Sequence, residues 1–134
     1  MTPNAPLLPS QRVAQICLFV AAAIAIFGGV LQIYLGQPQS GARLDNVHRF
    51  MAGVYLGSGL LGLWVAATIR QHSTLVFLIA LTVFLGGTGR VISISQVGWP
   101  EPFALWLAYL VPELALPWVI GAAQVITNMD PSRR

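Results

Sequence analysis

Three segments of the 134-residue sequence carry side chains that could do chemistry in otherwise apolar surroundings. Asp45 and Arg49 lie four residues apart in DNVHRF, so on a helix they share a face, with the acid nearer the amino terminus, the favourable order. Arg90 lies in LGGTGRVIS, and Glu113 lies in YLVPELALP. Carboxylates and guanidinium groups in an apolar helix could pair with each other, hold the polar group of a ligand, or relay a proton.

Glu113 most needs a partner, because it lies about ten residues into its predicted helix and therefore close to mid-membrane. An unpaired carboxylate at that depth is costly, so we expect it to be protonated or paired. Arg90 lies roughly 24 Å from the start of its own helix at about 1.5 Å per residue. It is the natural partner, with Arg49 as the competitor. Pro112 and Pro117 bracket Glu113 and can free backbone carbonyls, a device found where helices line a cavity.

We expect these charges to converge from three helices in the outer half of a bundle. Gly53 and Gly57 continue the face of Asp45 and Arg49, and small residues let helices approach closely in lipid, so that face is predicted to point inward. Gly86 and Ser93 flank Arg90 in the same way. The candidate polar site, for ligand binding or for packing, comprises Asp45, Asn46, His48, Arg49, Arg90, Ser93, Trp106, Tyr109 and Glu113.

No motif in the sequence specifies a reaction. It contains no Gly-rich phosphate loop, no nucleophile elbow, no HExxH and no Cys/His metal constellation. Cys17 is the single cysteine, which excludes an intrachain disulfide and a thiolate metal cluster. His48 could act as a base at physiological pH, but one histidine near a helix start is usually an interfacial side chain. We therefore predict no catalytic residue, no metal and no cofactor.

The composition requires lipid as the main solvent for the elements that position these residues. Apolar residues make up 56% of the chain and charged residues only 8%, against about a quarter in a soluble domain. A helix needs about 20 residues to cross the hydrocarbon core, and no segment alternates with a strand's period of two. The sequence predicts an all-α, four-helix membrane bundle. Its helices cover 13–35, 46–69, 74–95 and 103–127, with Asp45 or Asn46 capping the second, and with flexible tails at 1–12 and 128–134.

The arginines predict the orientation of this bundle. There are seven basic residues and all are Arg. Arg12, Arg70, Arg133 and Arg134 fall on the side of the two termini, whereas the opposite loops carry only Arg43. The positive-inside rule places both termini in the cytoplasm. Because the arginines form no basic stripe, nucleic acid is not an expected partner.

Four segments carry a resemblance to a known family. DNVHRFMAGVYLGSGLLGLW, LTVFLGGTGRVIS, VGWPEP and PELALP resemble DUF4345, a bacterial domain family of unknown function. The resemblance rests on Asp45, Arg49, Phe50, Leu85, Gly86, Gly87, Arg90, Ser93, Gly98, Pro100, Pro102, Glu113, Leu114 and Pro117. His48 has no place in the family pattern. The resemblance implies a small multi-pass protein of the bacterial inner membrane, similar in layout to DoxX-like proteins, and it implies no reaction.

The sequence leaves several roles open for the charges. The first hypothesis is a non-enzymatic membrane module that binds a small or lipid-like ligand, or docks a membrane protein. The second is a proton-coupled transporter that acts as a homo-oligomer, with Glu113 as the titrating group. The third is a membrane isomerase or redox enzyme that uses Glu113 and His48 on a hydrophobic substrate. A purely structural ion pair that fixes helix register accounts for the same residues.

Overall fold

Four long helices make up the protein in the computed structural model, which describes residues 6–131. They are α1, Pro9–Leu35; α2, Ala42–Ala67; α3, Ser73–Val97; and α4, Phe103–Met129. A short 3-10 helix, Pro38–Ser40, lies between α1 and α2, and no strand forms within residues 6–131. Each long helix is long and apolar enough to cross a membrane. The predicted all-α four-helix bundle is confirmed, and the chain is a multi-pass membrane protein.

Several helix ends differ from the expected bounds: α1, α2 and α3 begin earlier, α3 and α4 end later, and α2 ends at Ala67, before the expected 69. α1 begins at Pro9, within the predicted tail, because a proline suits the first turn, where its missing N–H is not needed. The rest of the two predicted tails falls partly on residues 1–5 and 132–134, which lie outside the described residues. α2 begins at Ala42 with Gly41 as its N-cap, so the prediction that Asp45 or Asn46 caps this helix is wrong. Asp45 instead lies in the first turn, where a negative charge is favourable.

α1 is the central helix of the bundle. It packs along α2 on one side and α4 on the other, and α3 packs on α4, whereas α2 and α3 barely contact each other. We call the end that carries residues 36–41 and 98–102 the loop end, and the opposite end the termini end. The arrangement leaves a gap between α2 and α3.

Glycines set the closest helix contacts. A Cβ atom at Gly29 would lie 2.8 Å from the backbone nitrogen of Leu56, and one at Gly59 would lie 2.9 Å from that of Ile26. Such close backbone approach provides much of the packing energy in lipid. Gly53 and Gly57, by contrast, are exposed, and a Cβ atom there would meet nothing within 4 Å. The prediction that their face points inward is wrong, because α1 packs on the neighbouring face of α2.

The apolar core lies towards the termini end. Its largest members, contributed by all four helices or the turn after α2, are Leu18, Val65, Ile69, Val76 and Ile120. Many large apolar side chains cover the outside of the bundle, among them Phe27 and Trp118. A lipid-facing surface has this composition. Asp45, Arg49, Arg90 and Glu113 lie between this core and the loop end.

Candidate functional site

The central feature of the site is an ion pair between α3 and α4. Arg90 Nε donates to Glu113 Oε2 at 2.6 Å, and the second carboxylate oxygen, Oε1, accepts a hydrogen bond from the hydroxyl of Tyr55 on α2 at 3.3 Å. The Glu113 side chain is only 7% exposed and that of Arg90 is 26% exposed. Sequence reasoning named Arg90 as the partner of Glu113, and the structure brings the two together.

Two aromatic rings of α4 flank the guanidinium group of Arg90. Its Cζ atom lies 5.5 Å from the ring centroid of Trp106 and 5.6 Å from that of Tyr109. A cation within about 6 Å of an aromatic face is attracted by the ring quadrupole, and more strongly where water is excluded. Trp106 and Tyr109 therefore hold Arg90 in place while Glu113 compensates its charge.

Two glycines make room for this arrangement. A Cβ atom at Gly87 would lie 2.9 Å from Leu114 Cδ2 and 3.1 Å from Glu113 Cβ, so α3 approaches α4 closely just one turn before Arg90. A Cβ atom at Gly28 on α1 would lie 3.1 Å from the ring of Tyr55 and 3.6 Å from that of Tyr109. All four helices thus contribute to the surroundings of the pair.

A cavity of about 190 Å³ lies beside Glu113, towards the termini end. Its walls are mostly apolar, and α1 and α4 form its floor through residues such as Ala22, Ala25 and Leu116. Val54 on α2 and Thr82 and Gly86 on α3 line it and are exposed. The cavity therefore opens through the gap between α2 and α3, in the direction of the surrounding lipid.

Asp45 and Arg49 form a second ion pair, separate from the first. Arg49 Nε donates to Asp45 Oδ2 at 2.9 Å. Arg49 also donates to the backbone carbonyl of Ile33, and Asp45 accepts from the backbone N–H of Gln37. The pair lies against Gly36, which has a φ of +60°. Because Gly36 has no side chain, the charged groups of Asp45 and Arg49 can lie close to its backbone. The pair thus provides hydrogen-bond partners for backbone groups at the carboxyl-terminal end of α1 and in the loop that follows.

The structure therefore divides the predicted cluster. Arg90, Trp106, Tyr109 and Glu113 come together, but among residues 6–131 no hydrogen bond or ion pair connects them with Asp45 or Arg49. The expected convergence of four charges is corrected to two pairs. The remaining predicted residues stand apart from the ion pair of α3 and α4: Asn46 and Ser93 are exposed, and His48 is half-buried and does not line the cavity.

Sequence reasoning missed Tyr55, Gly28 and Gly87 as site residues. Gly87 carried a usable signal, since it precedes Arg90 by three positions and so shares its helical face. The sequence gives little indication for Tyr55. The direction of a single tyrosine side chain cannot be predicted until the rotation of α2 about its axis is known.

A further group of polar residues at the termini end was also not predicted. Gln124 is fully buried, and its Nε2 donates to Ser73 Oγ and Asn128 Oδ1, both at 3.0 Å. Ser10 and Thr127 share a hydrogen bond of 2.8 Å. These contacts connect α1, α3 and α4. Interhelical hydrogen bonds of this kind stabilise membrane bundles.

Within the described part of the chain, no three His, Cys, Asp or Glu side chains lie close enough together to hold an ion. The acidic groups of the two pairs, Asp45 and Glu113, each face an arginine instead.

Comparison with known proteins identifies a family without a described activity. No curated protein and no solved structure matches the chain significantly. The sequence model of the family described as "Domain of unknown function (DUF4345)" matches residues 13–124, which include both ion pairs, the cavity and most of all four helices. The chain therefore belongs to the DUF4345 family.

Proposed function

We propose that the protein binds, from within the bilayer, an apolar molecule that carries one polar group. The observation that supports this most directly is the apolar cavity with the buried carboxylate of Glu113 on its wall. Ligand sites are typically apolar with a few polar groups that fix orientation. Arg90 compensates the charge of Glu113, so the carboxylate can remain in the wall without a ligand.

The position and size of the cavity favour a chain-like ligand. Because the cavity opens between α2 and α3, a molecule dissolved in the lipid can enter without crossing water. Its volume of about 190 Å³ is below the ~300–1,000 Å³ that encloses a drug-sized ligand. The cavity therefore suits the polar end of a long molecule whose remainder lies among the lipids.

The two other hypotheses gain less support from the structure. An enzyme that uses Glu113 and His48 needs both beside one cavity, and His48 is not among the residues that line it. A proton-coupled transporter needs a polar path to Glu113, whereas the cavity wall around it is mostly apolar. Binding without a chemical reaction requires only the apolar cavity and the buried carboxylate of Glu113, and both are present.

Photolabelling in lipid nanodiscs tests the proposal. The probes are dodecyl chains that carry a diazirine, an alkyne and one of several polar head groups. We expect at least one probe to label peptides of α2, α3 or α4 saturably, and excess unlabelled chain of the same kind to compete. If excess unlabelled chain does not reduce the labelling, the proposal is contradicted.

A matched pair of variants locates the labelled site. Gly86 lines the cavity and Gly89 does not, yet both are exposed on α3, and a Cβ atom at either would meet nothing within 4 Å. Gly86→Leu fills the cavity, so we expect labelling to fall on the order of tenfold, the equivalent of about 1.4 kcal/mol. Gly89→Leu adds the same side chain outside the cavity and should label like the parent protein. Equal labelling of both variants would place binding elsewhere.

A further inference from the structure

The polar atoms of the cavity wall are few, and their hydrogen-bonding state is known. Among the lining residues only Tyr55, Ser58, Thr82 and Glu113 carry polar oxygen atoms in their side chains. The carboxylate can only accept hydrogen bonds, whereas each hydroxyl has one proton to donate. Where those three protons go decides what the wall can offer to a ligand.

All three hydroxyl protons are already donated within the protein. Tyr55 donates to Glu113 Oε1 at 3.3 Å, Ser58 to the carbonyl of Val54 at 2.9 Å, and Thr82 to the carbonyl of Leu78 at 2.9 Å. A ligand that accepts a hydrogen bond from any of them would have to displace an existing bond. The oxygens keep lone pairs that can still accept.

The rest of the wall adds no donor. The backbone N–H groups of a helix interior are used in the helix itself, and Pro112, which lines the cavity, has none. Pro117 has no N–H to give to the carbonyl of Glu113, which adds a further acceptor in this region. The guanidinium of Arg90 lies with Trp106 and Tyr109 and is not part of the lining.

From this imbalance we infer that the ligand is a long-chain alcohol, because its hydroxyl group is a neutral hydrogen-bond donor. The inference rests on the proposed binding function and specifies its ligand class. The hydroxyl of the ligand donates to the oxygens around Glu113 while its chain extends through the gap between α2 and α3.

Other head groups fit the wall less well. A ketone, ester or ether would place acceptor lone pairs against acceptors, and a buried polar group without a partner loses the full cost of its desolvation. A carboxylate would in addition add a negative charge beside Glu113. An ammonium group can donate, but Arg90 already compensates Glu113, so the added positive charge would be unpaired in lipid.

Competition among dodecyl compounds with different head groups tests this inference. The photoreactive alcohol labels the protein in nanodiscs, and the competitors are dodecanol, its methyl ether, a methyl ketone of equal length, dodecanoate and dodecylamine, each corrected for its partition into lipid. We expect dodecanol to displace the probe at a concentration roughly tenfold lower than the ether or the ketone, the effect of one hydrogen bond to a charged acceptor.

Two variants sharpen the result. Glu113→Gln replaces an acceptor by an amide that can also donate, so the preference for dodecanol over the ketone should narrow. Asp45→Asn makes the same kind of replacement outside the cavity and should leave the preference unchanged. The head-group series on the parent protein decides the question even if Glu113→Gln does not fold.

The outcomes separate this inference from the proposed function. If the ketone, dodecanoate or dodecylamine competes as well as dodecanol while Gly86→Leu still blocks labelling, the alcohol is wrong and the binding function stands. If no head group gives saturable labelling, both are wrong. A preference for dodecanol that Asp45→Asn abolishes as fully as Glu113→Gln would also overturn the inference, because the preference would then not arise at the cavity wall.

Discussion

The two ion pairs use the same chemistry in different settings. Asp45 and Arg49 lie one turn apart on α2, and their side chains are 22% and 42% exposed. Glu113 and Arg90 lie on different helices, and theirs are 7% and 26% exposed. The first pair forms as soon as α2 forms, whereas the second requires α3 and α4 to pack. The difference lies in what each pair needs from the rest of the fold.

The groups that surround the two pairs differ in kind. The groups around Asp45 and Arg49 are backbone groups of α1 and its following loop, at Ile33 and Gln37, so this pair fastens a helix end. The groups around Arg90 and Glu113 are side chains from α2 and α4, together with glycines of α1 and α3 that leave space for them. Glu113 of the second pair lines the cavity between α2 and α3, and neither Asp45 nor Arg49 lines it.

Breaking the buried pair should produce the largest loss of stability. Arg90→Met leaves the carboxylate of Glu113 buried with Tyr55 as its remaining partner, and we expect a loss of about 3–5 kcal/mol in the free energy of unfolding. Glu113→Leu should cost less, because Arg90 is more exposed and keeps both aromatic partners. The measurement is reversible unfolding in mixed detergent micelles.

The double variant provides the control for this prediction. Arg90→Met combined with Glu113→Leu removes both charges, so no buried charge is left unpaired, and its loss should be well below the sum of the single losses. Strict additivity of the two single effects would show that the pair does not couple α3 to α4.

A smaller loss should follow when the helices that carry the pair are pushed apart. Gly87→Ala places a methyl group within 2.9 Å of Leu114 and 3.1 Å of Glu113 Cβ, and overpacking of this kind costs about 1–3 kcal/mol. Gly89→Ala adds the same group where nothing lies within 4 Å, so it should be neutral or slightly stabilising by helix propensity. Equal unfolding free energies of the two variants, measured in the same micelles, would refute the close contact of α3 with α4.

The sequence predicted those features that follow from the cost of charge in lipid. Long apolar runs define the four helices, and Glu113 at mid-membrane requires a partner at a similar depth, which Arg90 provides. Depth along a helix can be counted from its start, at about 1.5 Å per residue. Pairing across helices could therefore be predicted without coordinates.

Rotation of the helices could not be predicted in the same way. α2 carries two stripes of small residues, Gly53 with Gly57 and, one face away, Gly59 with Gly62. Only the second packs against other helices. The choice depends on the matching surface of α1, where Gly29 and Ile26 meet α2, and no spacing within α2 contains that information. Because the predicted rotation of α2 was wrong, Asp45 was grouped with Arg90 and Glu113, and Tyr55 was not.

Neutralising the exposed pair should produce the smallest effect, and it tests the distinction between the pairs directly. Asp45→Asn weakens the bond to Arg49, and exposed pairs contribute little to stability because water and salt screen them. We expect the unfolding free energy to change far less than in Arg90→Met, while amide hydrogen exchange rises in the loop around Gln37, whose N–H donates to Asp45. Asn46→Ala, an exposed neighbour, provides the control and should leave exchange in that loop unchanged. A loss of stability in Asp45→Asn as large as that in Arg90→Met would mean that the four charges act as one cluster, and that the separation of the two pairs has no energetic meaning.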